Sequence, residues 1–171
     1  MFFVNLQDVN MNLPISQKGF DRLLEELEQL KRERPAITKA IQEAREEGDL
    51  SENAGYDAAR ERQGMLEAKI SHIESRVLQY SVVDFARLGG SKVSYGATVR
   101  LVNQDTDEEK EYTLVAPEET DLVRGGVSVL SPVAKAVLGK EVGEEALVDA
   151  PRGKISYEIA GIEFKGEGIF L

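Results

Sequence analysis

The sequence predicts an α+β chain of two parts: an N-terminal antiparallel α-helical coiled-coil hairpin, then a small, mostly antiparallel β-sheet domain with one short helix. Three observations predict it. Apolar residues recur with a period of 3.5 from Phe20 to Tyr80. That pattern breaks at one place, where GDLSENAGYDAARERQG begins at Gly48. Beyond Gly89-Gly90-Ser91, short β-rich runs alternate with turn clusters.

The first arm places Phe20, Leu27 and Ile41 on one core position and Leu23, Leu30, Ile37 and Ala44 on the other. Arg34, just before Pro35, is the exception. Ser16 is the candidate N-cap. The pattern restarts at Tyr56 and continues through Ala59, Gln63, Leu66, Ile70, Ile73, Val77 and Tyr80. A seam of this period in both arms indicates two helices packed along a narrow stripe. A joint of about ten residues makes them antiparallel neighbours. At 1.5 Å per residue an arm from about residue 17 to 47 is roughly 45 Å long, with Pro35 expected to kink it mildly.

Strands are expected at Ala97–Val102, Glu111–Val115, Val127–Leu130, Ala146–Asp149 and Ile155–Ile162. One helix lies between the third and fourth. Ser131 is its N-cap, Pro132 its first residue and Gly139 its stop. The expected organisation is therefore a flexible extension over 1–12, the hairpin over 13–85, a linker over 86–95, the sheet domain over 96–165 and a tail over 166–171.

Composition excludes several function classes. With no cysteine there are no disulfides, thiolate metal sites or cysteine nucleophiles, which fits a reducing, cytoplasmic compartment. The single histidine, His72, sits in a charged helical stretch and is read as solvated. No apolar run approaches the roughly 18 residues of a membrane span, and MFFVNL lacks the flank of a signal peptide. The net charge of −10, shared about equally by the two halves, argues against a general nucleic-acid binder. Any nucleic-acid contact must be local or shielded by a partner.

The chemistry-bearing residues cluster at the break. Asp49 and Glu52, three positions apart, would project from one side of a helical turn with Cβ atoms roughly 5–6 Å apart. Such oxygen ligands suit Mg²⁺, a hard cation that takes one or two carboxylates and fills the rest with water and phosphate. The same pattern also reads as a capping box, with Asp49 or Ser51 capping the second helix and Glu52 bonding back. Even six-ligand oxygen sites can bind as weakly as about 10⁻⁴–10⁻³ M. Two exposed carboxylates alone therefore only complete a site supplied by another macromolecule. Arg45 and Arg60 flank the tip, with Arg62 nearby, as candidate phosphate contacts or as ordinary solvated helix charges. Leu50, apolar at an apex, points to a partner contact, whereas Tyr56 on the seam has packing as its default role. There is no P-loop, no Gly-x-Gly-x-x-Gly and no Ser/His/Asp set with usable spacing.

The tip GDLSENA, the following YDAARERQG, the strand signal YGATV and the later SVLSPVAKAVLGKEVG together resemble the bacterial Gre transcript-cleavage factors, and within them the GreA type. The resemblance spans about Leu13 to Phe164. It implies an FKBP-like fold for the second domain and a role in transcription elongation. The coiled coil would enter the secondary channel of RNA polymerase, and the tip would stimulate the polymerase's own cleavage of backtracked RNA. By motif, Asp49 and Glu52 fall on the two tip acids, sharing Mg²⁺ only in the complex and positioning water there. Arg45 and Arg60 fall on the basic positions facing displaced RNA, so the nascent 3′ end is an indirect partner. Leu50, Ser51 and Asn53 are implied as tip contacts. The Ser131–Gly139 helix and adjacent strands, with Ser131 and Pro132, are the candidate polymerase-docking surface. The factor would be a monomer and not itself an enzyme. Gly55 departs from the charged residue of the motif, and the arms are poor in lysine, as in the GreA rather than the GreB branch.

Three other readings compete. A Gre-like inhibitor plugging the same channel carries more tip acids than this chain's two. An FKBP-like chaperone or prolyl isomerase needs an aromatic-lined site, and this domain is poor in aromatics. A purely structural coiled-coil adaptor explains the heptads but not the exposed acidic apex.

Overall fold

Two long helices form where the heptads run: α1 over Gln17–Glu46 and α2 over Ala54–Gln79. The computed structural model describes residues 12–49, 53–120 and 125–166, and these fall into two units. The first holds residues 20–80. The second holds Leu13–Gly19 together with the chain from Ser81 onward.

In the first unit the buried seam consists of Leu23, Leu27, Ile41 and Ala44 from α1 and Ala59, Leu66, Ile70 and Ile73 from α2. All are heptad positions, and the exposed His72 lies off the seam as expected. Ion pairs across the arms join Lys31 to Glu74 and Arg34 to Glu67, each at 2.7 Å. As one partner climbs the chain the other descends, so the arms are antiparallel. The second pair explains the heptad exception. Arg34 Nε and Nη2 donate to Glu67 Oε1 and Oε2 at 2.8 and 2.7 Å, the fork geometry that arginine matches to a carboxylate. A seam position that carries no apolar residue thus carries a cross-arm clamp.

The second unit begins with a two-stranded sheet of β1 (Leu13–Ile15) and β2 (Tyr80–Val82), followed by a backbone hydrogen bond from Val83 to Ile15 of 2.9 Å. Neither strand was expected. The hairpin boundary of 13–85 accordingly shifts inward at both ends. The main sheet has the order β5-β4-β3-β7-β6, built from β3 (Ala97–Asn103), β4 (Glu109–Val115), β5 (Gly126–Ser128), β6 (Glu145–Ala150) and β7 (Gly153–Phe164). All pairings are antiparallel except β4 with β5, which is parallel. Residues 151 and 152 alone turn β6 into β7, since Ala150 pairs with Gly153. A register shift between Arg100 and Leu101 marks a bulge opposite β7.

The expected third strand, Val127–Leu130, ends two residues early. At its end Ser131 donates its N–H to the Ser128 carbonyl and Leu130 donates to Ser128 Oγ, a local turn that replaces the ladder and leads into α3 (Pro132–Val137). That helix starts as expected, with Ser131 Oγ accepting from Ala134 N–H at 3.2 Å, and stops before Gly139 at φ +79°. Residues 86–95, expected as a linker, are built into the unit. Val93 and Tyr95 are buried, and Val93 exchanges backbone hydrogen bonds with the stretch 139–140. The core gathers Ile15, Val93, Val99, Leu101, Leu114, Val115, Val137 and Ile159.

One charged residue lies inside this core. Glu119 is fully buried. Its Oε1 accepts from the Ser16 N–H at 3.0 Å and from Ser16 Oγ. Its Oε2 accepts from the Tyr95 hydroxyl at 2.7 Å and the Ala116 N–H at 3.1 Å. Ser16 Oγ in turn accepts from Gly19 N–H at 2.9 Å, confirming Ser16 as the N-cap of α1. Among the described residues no helix is long and apolar enough to cross a membrane. The expected extension over 1–12 falls outside the described residues except for Asn12, and the tail does so beyond residue 166.

Candidate functional site

The far end of the hairpin is built by two helix termini and the short span between them. α1 ends at Glu46 and α2 starts at Ala54, so the chain from Glu47 to Asn53 forms the joint. Gly48 has φ +133°, a backbone conformation open to glycine and strained for other residues, and it sets the turn out of α1.

Asp49 lies in this joint, outside both helices, and is exposed. Leu50, Ser51 and Glu52 lie outside the described residues. The helix start nevertheless decides one of the two readings of the acids. The N-cap of α2 is Asn53, whose Oδ1 accepts from Tyr56 N–H at 3.0 Å. The cap position of α2 is thus held by Asn53, where the capping-box reading placed Asp49 or Ser51. The capping-box reading is therefore corrected. Asn, Asp and Ser are nearly equal caps, and local sequence could not choose among them.

Arg45, in the last turn of α1, is exposed and holds its guanidinium 5.8 Å from the centroid of the Tyr56 ring. This is a cation–π contact across the two arms. Arg60 is exposed on α2, with Nη1 donating to Gln63 Oε1 at 2.7 Å. Both cations are at the surface on opposite arms of the same hairpin end. Asn53 does more than cap: its Nδ2 donates to the Ala44 carbonyl at 2.6 Å. Sequence reasoning placed Asn53 only as a contact, because nothing local signals that its amide spans the arms. Gly55, the departure from the motif, is the second residue of α2, and a Cβ there would sit 3.3 Å from Asn53 Oδ1.

The donor set at the joint suits a hard cation in chemistry. Among the described residues, however, no group of three or more potential ligands could hold a metal. In the second unit, Ser131 is engaged in capping and Pro132 is exposed.

Comparison with known proteins shows the family. Residues 13–82 match the family model described as transcription elongation factor, N-terminal, and residues 88–164 match transcription elongation factor GreA/GreB, C-terminal. The chain is 63% identical over 155 residues to the transcription elongation factor GreA of Nitratidesulfovibrio vulgaris strain Miyazaki F, covering 91% of this chain and 97% of that one. It is 59% identical to that of Solidesulfovibrio magneticus, covering 91% and 94%. A more distant relative, the GreA of Thermodesulfovibrio yellowstonii, is 47% identical, with 90% and 98% covered. With both halves of the chain matched in order, the protein belongs to the GreA/GreB transcription elongation factor family.

Proposed function

We propose that this elongation factor binds RNA polymerase, presents its hairpin end through the secondary channel, and stimulates the polymerase's own hydrolysis of backtracked transcripts. One observation carries the reading: Asp49 is exposed in the joint between two helices of 30 and 26 residues. A rod of roughly 45 Å is the shape that delivers a ligand down a channel.

Asp49 and Glu52 are the residues that would hold Mg²⁺ together with polymerase ligands. The ion, when bound, neutralises charge on the reacting phosphodiester and lowers the pKa of its water. The chain's own part is to bring the Asp49 carboxylate to the phosphate and to exclude bulk water with the hairpin end. Glu52 orients the attacking water. Arg45 and Arg60 supply cations on either arm for the displaced RNA backbone. The FKBP-like unit docks on the polymerase through α3, with Ser131 and Pro132 at its start. The factor works as a cytoplasmic monomer and has no hydrolytic activity of its own.

The test is to add the purified protein to stalled elongation complexes with Mg²⁺ and follow release of short 3′ RNA fragments. Cleavage is expected with the parent and sharply reduced with Asp49→Asn or Glu52→Gln, each still bound to polymerase. RNA without polymerase is expected to stay intact. Equal cleavage by parent and both variants would sink the assignment of the tip acids.

A further inference from the structure

The two hydrogen bonds of the Asn53 amide use its two different ends, and their partners fix which end is which. The Tyr56 N–H is a donor and must face Oδ1, while the Ala44 carbonyl is an acceptor and must face Nδ2. Each partner is one of the backbone groups a helix leaves unpaired at its terminus: a first-turn N–H of α2 and a last-turn C=O of α1. A single planar amide thus caps two helices at once. Starting α2 needs only the acceptor half, which Ser or Asp supplies equally well. The donor half serves the other arm. It closes a loop of nine positions along the chain, from Ala44 to Asn53, within which Asp49 is carried. It also ties Ala44, the neighbour of Arg45, to the cap of the helix that carries Tyr56, and the Arg45 guanidinium lies over the Tyr56 ring.

We infer that Asn53 is a positioning residue for the tip: its amide sets the separation and register of the two chain ends that present Asp49. This inference rests on the proposed role of Asp49 in transcript cleavage. Asn53→Ser and Asn53→Asp both keep an acceptor for the Tyr56 N–H and lose the donor to the Ala44 carbonyl, one without and one with an added charge.

The experiment measures cleavage in stalled complexes against factor concentration, beside the melting temperature of each free protein, with Asp49→Asn as control. For both Asn53 variants the expected result is a cleavage rate at saturating factor that falls by roughly ten- to hundredfold, the scale of a misplacement of about 1 Å in a reacting group. The concentration for half-maximal effect and the melting temperature stay at parental values. The inference is overturned if either variant reaches the parental saturating rate while Asp49→Asn does not. It is also overturned if the rate falls only together with melting temperature or half-saturation, which marks Asn53 as structural. If Asp49→Asn itself cleaves normally, the reading of the tip fails and this inference with it.

Discussion

Replacing Glu119 with Gln tests whether a buried charge, rather than a buried polar group, holds the second unit together. All four groups around the carboxylate are used as donors, and two of them, the N–H groups of Ser16 and Ala116, cannot reverse. One sits at each carboxylate oxygen. A glutamine therefore points its NH₂ at a backbone N–H whichever way the amide is turned. Stranding that N–H costs about 1–3 kcal/mol, and the remaining bonds lose their charge assistance at a further cost of about 1 kcal/mol. Removing the charge returns part of its desolvation cost. The net loss is about 2 kcal/mol, a fall in melting temperature of roughly 4–8 °C for a chain of this size. Calorimetry of the intact chain reads the shift, and hydrogen exchange at the Ser16 and Ala116 amides localises it. A variant within about 0.5 kcal/mol of the parent, with both amides equally protected, would refute the argument.

Burial, the Glu119 charge and its hydrogen bond together push the Tyr95 hydroxyl far above the usual tyrosine value of about 10. Below that value Tyr95 is neutral in both folded and unfolded chains. Above it the unfolded chain ionises and the folded one does not, so stability is expected to fall by up to about 1.4 kcal/mol per pH unit; Tyr95→Phe removes this component, as pH-dependent unfolding would show. Gly19→Ala places a Cβ 2.5 Å from Glu119 Oε1 and 2.8 Å from its Cγ. The overpacking cost of about 1–3 kcal/mol outweighs the roughly 1 kcal/mol of helix propensity gained, so denaturant unfolding should show net destabilisation. Ile70→Ala, at a seam position 1% exposed, is expected to cost about 2–5 kcal/mol by urea titration while leaving the second unit intact.

The sequence made the hairpin legible because its signal is long and periodic. Leu23 to Ala44 and Ala59 to Ile73 repeat one message at every turn, and a single exception at Arg34 does not obscure it. The five strands of the main sheet and α3 were legible from alternation and from the Ser131-Pro132 start, with no end misplaced by more than two residues. Short elements carried no such redundancy. β1 spans Leu13–Ile15 and contains a proline; β2 spans Tyr80–Val82, and the helical pattern of α2 runs into it. Each is a strand only because the other is beside it. Glu119 was invisible for a related reason. Pro117-Glu118-Glu119-Thr120 reads as a polar turn, and the donors that allow an acid to be buried come from residues 16, 95 and 116. At the tip, the acids were legible as a feature and the cap was not, because capping preference cannot rank Asp49, Ser51 and Asn53.

The buried carboxylate also dictates a schedule for biosynthesis. Ser16 and Glu119 stand 103 positions apart, with the whole hairpin between them. At about 5–20 residues per second, a ribosome needs roughly 5–20 s to produce the second after the first. Both arms of the hairpin are translated within that interval, and their contacts are local enough to form in far less than a second. Ser16 therefore waits seconds, with both helices already formed, for the acid that accepts its hydrogen bonds.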